Sequence, residues 1–247
     1  MLTGRSCRLE PLTAAHFDTL YDAWAPAEDG RDWTYLPVER PASRQACRVW
    51  LTALAASEDP LFFTVVDRDG DRAVGTVALM RIAPAHGVAE IGWVNWSRGM
   101  RRSRMGTEAI ALLLAYLFDT LGYRRCEWKC DSLNAPSRQA ARRLGFCYEG
   151  TFRQAIVTKG RNRDTSWFAI VDADWPAIRA AYTAWLANDN VDANGGQRRA
   201  LGKFMPAYRR PRGVAGRYVF NLLRLIDIMM RQDPFIGPAS EPLPTDG

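Results

Sequence analysis

The stretch 101-RRSRMGT-107 joins two segments of opposite character at the centre of the chain. Residues 88–96 before it are rich in β-branched and aromatic side chains, which is typical of a strand. Residues 107–123 after it carry apolar side chains at i, i+3, i+4 and i+7, with Gly122 as a stop signal, which predicts a long helix. The sequence therefore predicts a strand, a basic loop and a helix in direct succession.

The basic loop has two interpretations that the loop alone does not separate. The first turn of a helix carries N–H groups without intrahelical partners, and the helix dipole adds partial positive charge there, so an anion is favoured. Ser103, Gly106 and Thr107 are small enough for a phosphate to approach, and the arginines would add charge-assisted contacts. The alternative is a solvated basic turn in which Thr107 caps the helix.

The remaining segments predict the layers around this centre. Residues 61–67 and 73–82, with a turn between them, indicate a β-hairpin. Periodicity predicts further strands at 5–11, 124–131, 146–157 and 164–172 and helices at 14–24, 43–57, 136–145 and 174–188. The expected fold class is mixed α/β (α+β), with a central, mostly antiparallel mixed sheet flanked by helices in a domain over residues 1–196.

Composition indicates an ordinary globular protein. With 247 residues, 47% of them hydrophobic, the chain is long enough for one full-sized domain and an appendage. Its five cysteines are an odd number and follow no secretory leader, so reduced thiols and a cytoplasmic location are expected. The chain has two histidines and no second cysteine pair with ligand spacing, so no metal site is expected.

The basic charge of the chain is concentrated in its tail. Residues 197–247 contain nine Lys and Arg and four Asp and Glu, whereas residues 1–196 contain 24 and 23. We expect a basic linker, an amphipathic helix at 217–232 and a disordered end at 238–247. Charges within that helix argue against a membrane span. The linker fits weak contact with RNA, the ribosome or an anionic surface, although solvated basic runs are commoner.

A second helix start, 134-NAPS-137, follows the end of a strand, and its helix finishes at 144-LGF-146. Considered singly, Asn134 is an ordinary helix cap and Ser137 an ordinary first-turn serine. Their occurrence with the basic loop, in this order, is more specific than any one of these pieces.

Together, these pieces resemble the GNAT superfamily of acyl-coenzyme A N-acyltransferases over roughly residues 5–200. The loop is similar to the family's pyrophosphate-binding motif, Gln/Arg-x-x-Gly-x-Gly/Ala, in which Arg101 and Gly106 fit and Arg104 replaces the first glycine. Further segments resemble the Rim-type branch, which includes ribosomal-protein N-terminal acetyltransferases: 107-TEA-109, 134-NAPS-137, 144-LGF-146, 31-RDWTYLP-37, 90-EIGW-93 and 159-KGRNRDTSWFAI-170.

The resemblance implies a sheet that splays beside the strand at 88–96, with acetyl-coenzyme A bound in the gap as the acyl donor. It implies Ser137 as proton donor to the leaving thiolate, and the backbone of Val94 or its neighbour as the group that polarises the carbonyl. Glu90 is our candidate for the base, acting through water, and its alternative is a solvent-facing or arginine-paired carboxylate. The cofactor contacts expected from the resemblance are Val94, Arg101, Arg102, Ser103, Arg104, Met105, Gly106, Thr107 and Asn134.

The acceptor implied by the resemblance is a primary amine. An α-amino group has a pKa near 8 and a lysine amine near 10.4, so neutralising the α-amine at pH 7 costs roughly 3 kcal/mol less. A weak, water-mediated base therefore suits a protein N-terminus, or a small-molecule amine of low pKa. Cys126 and Cys130 lack a histidine partner, which favours direct attack over a covalent acyl-enzyme. A non-catalytic acyl-coenzyme A-binding module and an RNA-associated protein stay open as rival functions, and so does assembly as a homodimer.

Overall fold

One sheet of eight strands organises the described part of the chain, in the order β1-β2-β3-β4-β5-β6-β8-β7. The computed structural model describes residues 1–26, 30–193 and 195–206. The strands are β1 (Leu2–Thr3), β2 (Cys7–Pro11), β3 (Leu61–Asp67), β4 (Arg72–Ala83), β5 (Val88–Trp96), β6 (Arg125–Asp131), β7 (Cys147–Thr158) and β8 (Arg161–Val171). The helices are α1 (Phe17–Trp24), α2 (Arg44–Ala55), α3 (Arg104–Ala115), α4 (Ala135–Arg143) and α5 (Trp175–Leu186).

The predicted fold class is confirmed. Among the described strands, every neighbouring pair runs antiparallel except β5 and β6, which are parallel. Helices α1 and α2 cover one face of the sheet, where Leu20, Trp24 and Leu51 pack with Phe62 and Ala78. Helices α3 and α5 cover the other face, and the core there includes Ile110, Leu113, Leu114, Phe168 and Ile178. The site lies at the parallel pair of strands, β5 and β6, between the two layers of helices.

Helix α3 begins earlier than the sequence predicted. Its N-cap is Ser103, whose hydroxyl accepts a hydrogen bond from the amide of Gly106 at 3.0 Å, so the prediction that Thr107 caps the helix was wrong. Serine and threonine are both good caps, and burial decides between them, because Thr107 is 1% exposed inside the helix. The helix gives way at Ala115 to a π-helical turn, and Gly122 then stops it with a φ of 66°, as predicted.

Glu108 fixes α3 against the N-terminal strands. Its carboxylate is 3% exposed and accepts hydrogen bonds from the amides of Arg5 and Ser6 at 2.7 Å and of Cys7 at 3.2 Å, and also from the Ser6 hydroxyl. Burial alone would raise the pKa of Glu108, but the hydrogen bonds from the Ser6 hydroxyl and these amides outweigh it and lower the pKa. An ionised carboxylate thus holds the start of α3 in place.

The folded body continues past the turn-rich segment at 189–197. The amide of Arg199 donates to Oδ1 of Asn190 at 2.9 Å, Leu201 is 2% exposed, and Phe204 and Met205 pack against the core. The amphipathic helix predicted at 217–232 and the disordered end predicted at 238–247 lie outside the described residues, and the division of the chain after residue 196 stays a prediction. Within the described ranges, no helix is long and apolar enough to cross a membrane.

Candidate functional site

The centre of the sheet opens into a gap between its two parallel strands. The register pairs of β5 and β6, both fully described, are three: Val88 with Arg125, Ala89 with Cys126 and Glu90 with Glu127. Beyond them β5 stays with β4 as far as Trp96, while β6 stays with β8 as far as Asp131. A cavity of about 1200 Å³ fills the gap, so the predicted splay is present.

A β-bulge frees backbone groups on one wall of this cavity. Thr76 of β4 pairs with Asn95 and Ala78 pairs with Gly92, so Trp93 and Val94 both lie across from the one intervening residue of β4. Trp93 adopts a φ of 50°, an unusual value for a side chain of its size. Neither Trp93 nor Val94 belongs to a register pair with a described strand, and both line the cavity. Val94 therefore lies where the resemblance requires it.

The N-terminus of α3 opens onto the same cavity. Arg101, Arg102, Ser103 and Gly106 line it, and the amides of the first helical turn have no intrahelical acceptors. Gly106 is needed for this arrangement, since a Cβ on it would lie 2.8 Å from the carbonyl oxygen of Met100. The amide of Gly106 is bonded to the Ser103 hydroxyl, so the amides of Arg104 and Met105, with Arg101 and Arg102 beside them, are the groups that fit the pyrophosphate of a coenzyme A molecule.

Arg104 leaves this cradle open. Its guanidinium donates to the carbonyl oxygen of Leu186, at the end of α5, and does not line the cavity. Met105 packs against the core, and the hydroxyl of Thr107 bonds to the carbonyl of Ser103 at 3.3 Å, so neither of these side chains lines the cavity either. Of these three expected cofactor contacts, Arg104 and Met105 can act through their first-turn amides, whereas the amide of Thr107 follows the first turn and has the carbonyl of Ser103 as its helical acceptor.

The cradle arginine that matches the motif is held by a carboxylate. Arg101 donates through Nη1 to Oδ1 of Asp32, and Arg98 lies 3.9 Å from the other oxygen of the same carboxylate. The Asp32 side chain is 10% exposed. Asp32 therefore orients Arg101 along the cavity wall.

Asn134 and Ser137 meet at the start of α4, and both line the cavity. Asn134 acts as the helix cap, because its Oδ1 accepts from the amide of Ser137 at 3.1 Å. The hydroxyl oxygen of Ser137 accepts a hydrogen bond from Nε1 of Trp128 at 3.0 Å. Because that oxygen is already an acceptor, the hydroxyl proton can be donated to a third group.

Glu90 lies at the point where the strands part, and it is 3% exposed. Its Oε2 accepts from Nη1 of Arg81 at 2.6 Å and lies 2.9 Å from Nζ of Lys129, so the arginine-paired alternative is present. Within the described part of the chain, no hydrogen bond reaches Oε1 of Glu90, which would lie 3.6 Å from a Cβ on Gly92. One carboxylate oxygen of this cavity-lining residue is thus used for structure, and the other has no hydrogen bond from the described residues.

Sequence reasoning missed the side chains on the opposite wall. Lys129 is 7% exposed, lies 2.6 Å from Glu127 and stacks its ammonium 3.9 Å from the ring centroid of Trp167. Trp167 in turn stacks on Phe152, and Arg163 lines the same region. Strand alternation offered a signal, since it places Glu127 and Lys129 on the face opposite the buried Trp128. The pairing of β6 with β8, which brings Trp167 to Lys129, is not readable from the sequence.

Cys126 and Cys130 are packing residues, as expected. Both are buried in the core, and burial raises the pKa of each thiol, which disfavours a nucleophilic thiolate. Cys130 also lines the cavity beside Ser137. All five cysteines lie in the described part of the chain and none is in a disulfide.

The loop at 31–37 forms the mouth of the cavity. Trp33 is buried in the core at 2% exposure, whereas Tyr35 lines the cavity. The Tyr35 hydroxyl donates to the carbonyl of Leu133 at 3.0 Å, and Nζ of Lys159 donates to the carbonyl of Trp33 at 2.9 Å. Trp33 thus packs in the core, and Tyr35 forms part of the mouth of the cavity.

A splayed mixed sheet, a bulged strand and an open helix N-terminus on one cavity define a class of acyl-group transferases. A sequence profile described as "Acetyltransferase (GNAT) domain" matches residues 7–147, and the chain belongs to this family. It is therefore an acyltransferase, and the family's acyl donor is acetyl-coenzyme A. The interpretation as a non-catalytic binding module loses its support.

The chain is similar to several known proteins. It shares 48% identity with a GCN5-related N-acetyltransferase of known structure from Brucella melitensis, with a TM-score of 0.80 and coverage of 82% of this chain and 92% of that one. It is 29% identical over 178 residues to the uncharacterized N-acetyltransferase p20 of Bacillus licheniformis, covering 70% of this chain and 94% of p20. It is 30% identical over 105 residues to the ribosomal-protein-serine acetyltransferase of Escherichia coli, covering 42% of this chain and 58% of that protein.

Proposed function

We propose that this enzyme transfers the acetyl group of acetyl-coenzyme A to a primary amine by direct attack, and that the amine is the N-terminal α-amine of a protein. The observation that carries the proposal is the single cavity that reaches both the N-terminus of α3 and the face of β6 and β8. A donor and an acceptor can therefore meet within it.

At the donor end, the amides of the first turn of α3 bind the pyrophosphate, and Arg101 and Arg102 add positive charge. Asn134 lines the cavity further along and contacts the pantetheine arm. The backbone of β5 beyond Glu90 has no partner strand on its β6 side among the described residues, so its free groups bind that arm in the gap.

The chemistry needs a base, an oxyanion partner and an acid. Oε1 of Glu90, acting through water, accepts a proton from the attacking amine. The amide at Val94 donates to the carbonyl oxygen, on which negative charge develops. The new C–N bond forms first, the C–S bond then breaks as the oxyanion collapses, and Ser137 gives its proton to the departing thiolate. Water returns a proton to Ser137, and Glu90 releases to water the proton that it accepted.

Two observations support an N-terminal acceptor. A base that acts through water, with one oxygen held by two cations, suits an amine with a pKa near 8 better than a lysine near 10.4. The similarity to the Escherichia coli ribosomal-protein-serine acetyltransferase, and the segments 107-TEA-109 and 134-NAPS-137, support the proposed membership of the Rim-type branch. A small-molecule amine is the second candidate acceptor, since many such amines are also easily deprotonated.

The other expectations keep the status of predictions. Contact of the basic tail with RNA or the ribosome depends mostly on residues 207–247, outside the described ranges. A homodimer and a cytoplasmic location also stay predictions.

Matched peptides test the proposal. The full chain is incubated with acetyl-coenzyme A and peptides that carry one internal lysine and either a free or a blocked N-terminus. We expect thiol release and acetylation of the α-amine with the free peptide, and neither with the blocked one. Acetylation confined to the lysine, or turnover of small amines with no turnover of any peptide, would refute the N-terminal assignment.

A further inference from the structure

The acceptor end of the cavity has an apolar floor with one exposed edge. Phe152 of β7 stacks on Trp167 of β8 with ring centroids 4.7 Å apart and an interplanar angle of 27°. Phe152 is 56% exposed and Ile156 is 46% exposed, although both line the cavity. This surface runs along β7 and β8 away from Glu90, and it suits an extended chain better than a compact ligand.

One cation on this surface has no partner. Lys129 is balanced by Glu90 and Glu127, and Arg81 is balanced by Glu90. Arg163 also lines the cavity, yet its side chain forms no ion pair or hydrogen bond with any residue that the structure describes, and its Nε is buried without a partner. A buried, unpaired polar atom on a guanidinium is costly. An anion bound in the cavity would instead pair with the part of the Arg163 guanidinium that lines it.

We propose that Arg163 binds an acidic side chain of the acceptor peptide, near the fourth residue from its N-terminus. This assignment rests on the N-terminal acetyltransferase function proposed above. It names a substrate class within that function, namely protein N-termini with an early aspartate or glutamate.

Strand geometry sets the position of the acidic residue. Lys129, whose ammonium contacts Glu90, pairs with Trp167. Arg163 lies four residues before Trp167 on β8, which is about 13 Å along the strand at ~3.3 Å per residue. An extended peptide with its α-amine at Glu90 covers this distance in about four residues. The α-carboxylate of a single amino acid lies too close to its own amine to span it.

Neighbouring groups suit such a ligand. Thr165 is 6% exposed, lines the cavity and lies two residues from Arg163 on the same face of β8, so its hydroxyl can donate to the same carboxylate. Phe152 and Ile156 lie across from Thr165 and Arg163 in the β7–β8 register, where they offer apolar contact to the peptide.

The test compares matched peptides in four proteins. Two six-residue peptides differ only by Glu or Gln at position 4, and acetylation is followed by mass spectrometry with the wild type, Arg163→Gln, Arg163→Lys and Arg161→Gln. The wild type is expected to prefer the Glu peptide about tenfold in kcat/KM, the effect of one charge-assisted contact. Arg163→Gln should lose this preference while still acetylating the Gln peptide, and Arg163→Lys should keep part of it. Arg161 is exposed, does not line the cavity and serves as the control, which should keep the full preference.

Each failure has a distinct meaning. Equal turnover of both peptides by the wild type, or a preference that survives in Arg163→Gln, overturns the role of Arg163 and leaves the N-terminal function standing. Acetylation of neither peptide overturns both proposals. The retained turnover of the Gln peptide, together with an unchanged Tm, shows that the Arg163→Gln protein is folded.

Discussion

Gly106 brings the first turn of α3 against the carbonyl of Met100, so closely that a Cβ at residue 106 would lie 2.8 Å from that oxygen. The obstructing atom is backbone and cannot rotate away. The contact explains why this loop needs its glycine at this place, and it links the shape of the loop to the cradle at the helix start.

Gly106→Ala is expected to weaken acetyl-coenzyme A binding by about tenfold or more, because relieving the clash displaces the loop at a cost of roughly 1–3 kcal/mol. Gly99→Ala is the control, since nothing lies within 4 Å of a Cβ there. Isothermal calorimetry measures both affinities. Equal affinity of the two variants would show that the cradle tolerates the displacement.

Substitutions of Arg102 and of Arg104 should affect different properties, namely the affinity for acetyl-coenzyme A and the thermal stability. Arg102 lines the cavity, so Arg102→Ala is expected to raise the Kd for acetyl-coenzyme A several-fold with little change in Tm. Arg104 instead donates to the carbonyl of Leu186, so Arg104→Ala should lower Tm and leave the Kd nearly unchanged. Calorimetry and thermal unfolding of both proteins check this, and the reverse pattern would place the Arg104 side chain at the cofactor.

Ser137→Ala is expected to lower kcat by about 10²-fold, the usual scale of a lost general acid, with acetyl-coenzyme A affinity preserved. Trp128 loses its hydrogen-bond acceptor in this variant, so its Tm should also fall slightly. Steady-state kinetics with equilibrium binding separates the two effects. An unchanged kcat would remove Ser137 as the proton donor.

Glu90→Gln should lower kcat by about 10²-fold at pH 7 if the carboxylate accepts the amine proton. The deficit should shrink above about pH 8, where an α-amine is neutral without help from a base. A pH–rate profile of both proteins provides the measurement. A deficit that stays constant across the profile would indicate that Glu90 matters only for holding Lys129 and Arg81.

Glu108→Gln is expected to cost about 2 kcal/mol of unfolding free energy at neutral pH, since the charge-assisted bonds from Ser6 and its neighbours weaken. The pKa of Glu108 is lowered by folding, so its contribution is complete above the ordinary value of 4.5 and is lost as the pH falls through the lowered value. The two proteins should therefore converge in urea unfolding experiments at acid pH. Glu58→Gln, at an exposed position, controls for the change in charge.

The bounds of strands and helices could be predicted where the sequence periodicity is strong. They could not be predicted where a tertiary contact sets the end of an element. The strand at 88–96 has the predicted bounds because its β-rich run is flanked by clear breaks. The start of α3 was misplaced because Ser103 and Thr107 are both acceptable caps, and the burial of Thr107 and the contact of Gly106 with Met100, which favour Ser103, are tertiary features.

The residues of the candidate site also fall into those that the sequence predicts and those that it does not. Residues that act through local backbone, such as Asn134 and Ser137 at the start of α4, can be read from a motif. Lys129 and Arg163 cannot, because their importance lies in which charges surround them. Glu90 reaches Lys129 from β5, and the position of Arg163 beyond Trp167 depends on the pairing of β6 with β8; both registers are set by long-range pairing.

The mouth loop at 31–37 has a consequence for how an acceptor enters. The two halves of the sheet are joined by three residue pairs, and the mouth loop is bonded to the segments after β6 and β7, through Tyr35 with Leu133 and Lys159 with Trp33. The loop that borders the cavity is thus fixed to both of these segments. A flexible chain end can enter past a fixed loop, whereas a lysine on the surface of a folded protein would have to bring its whole backbone with it.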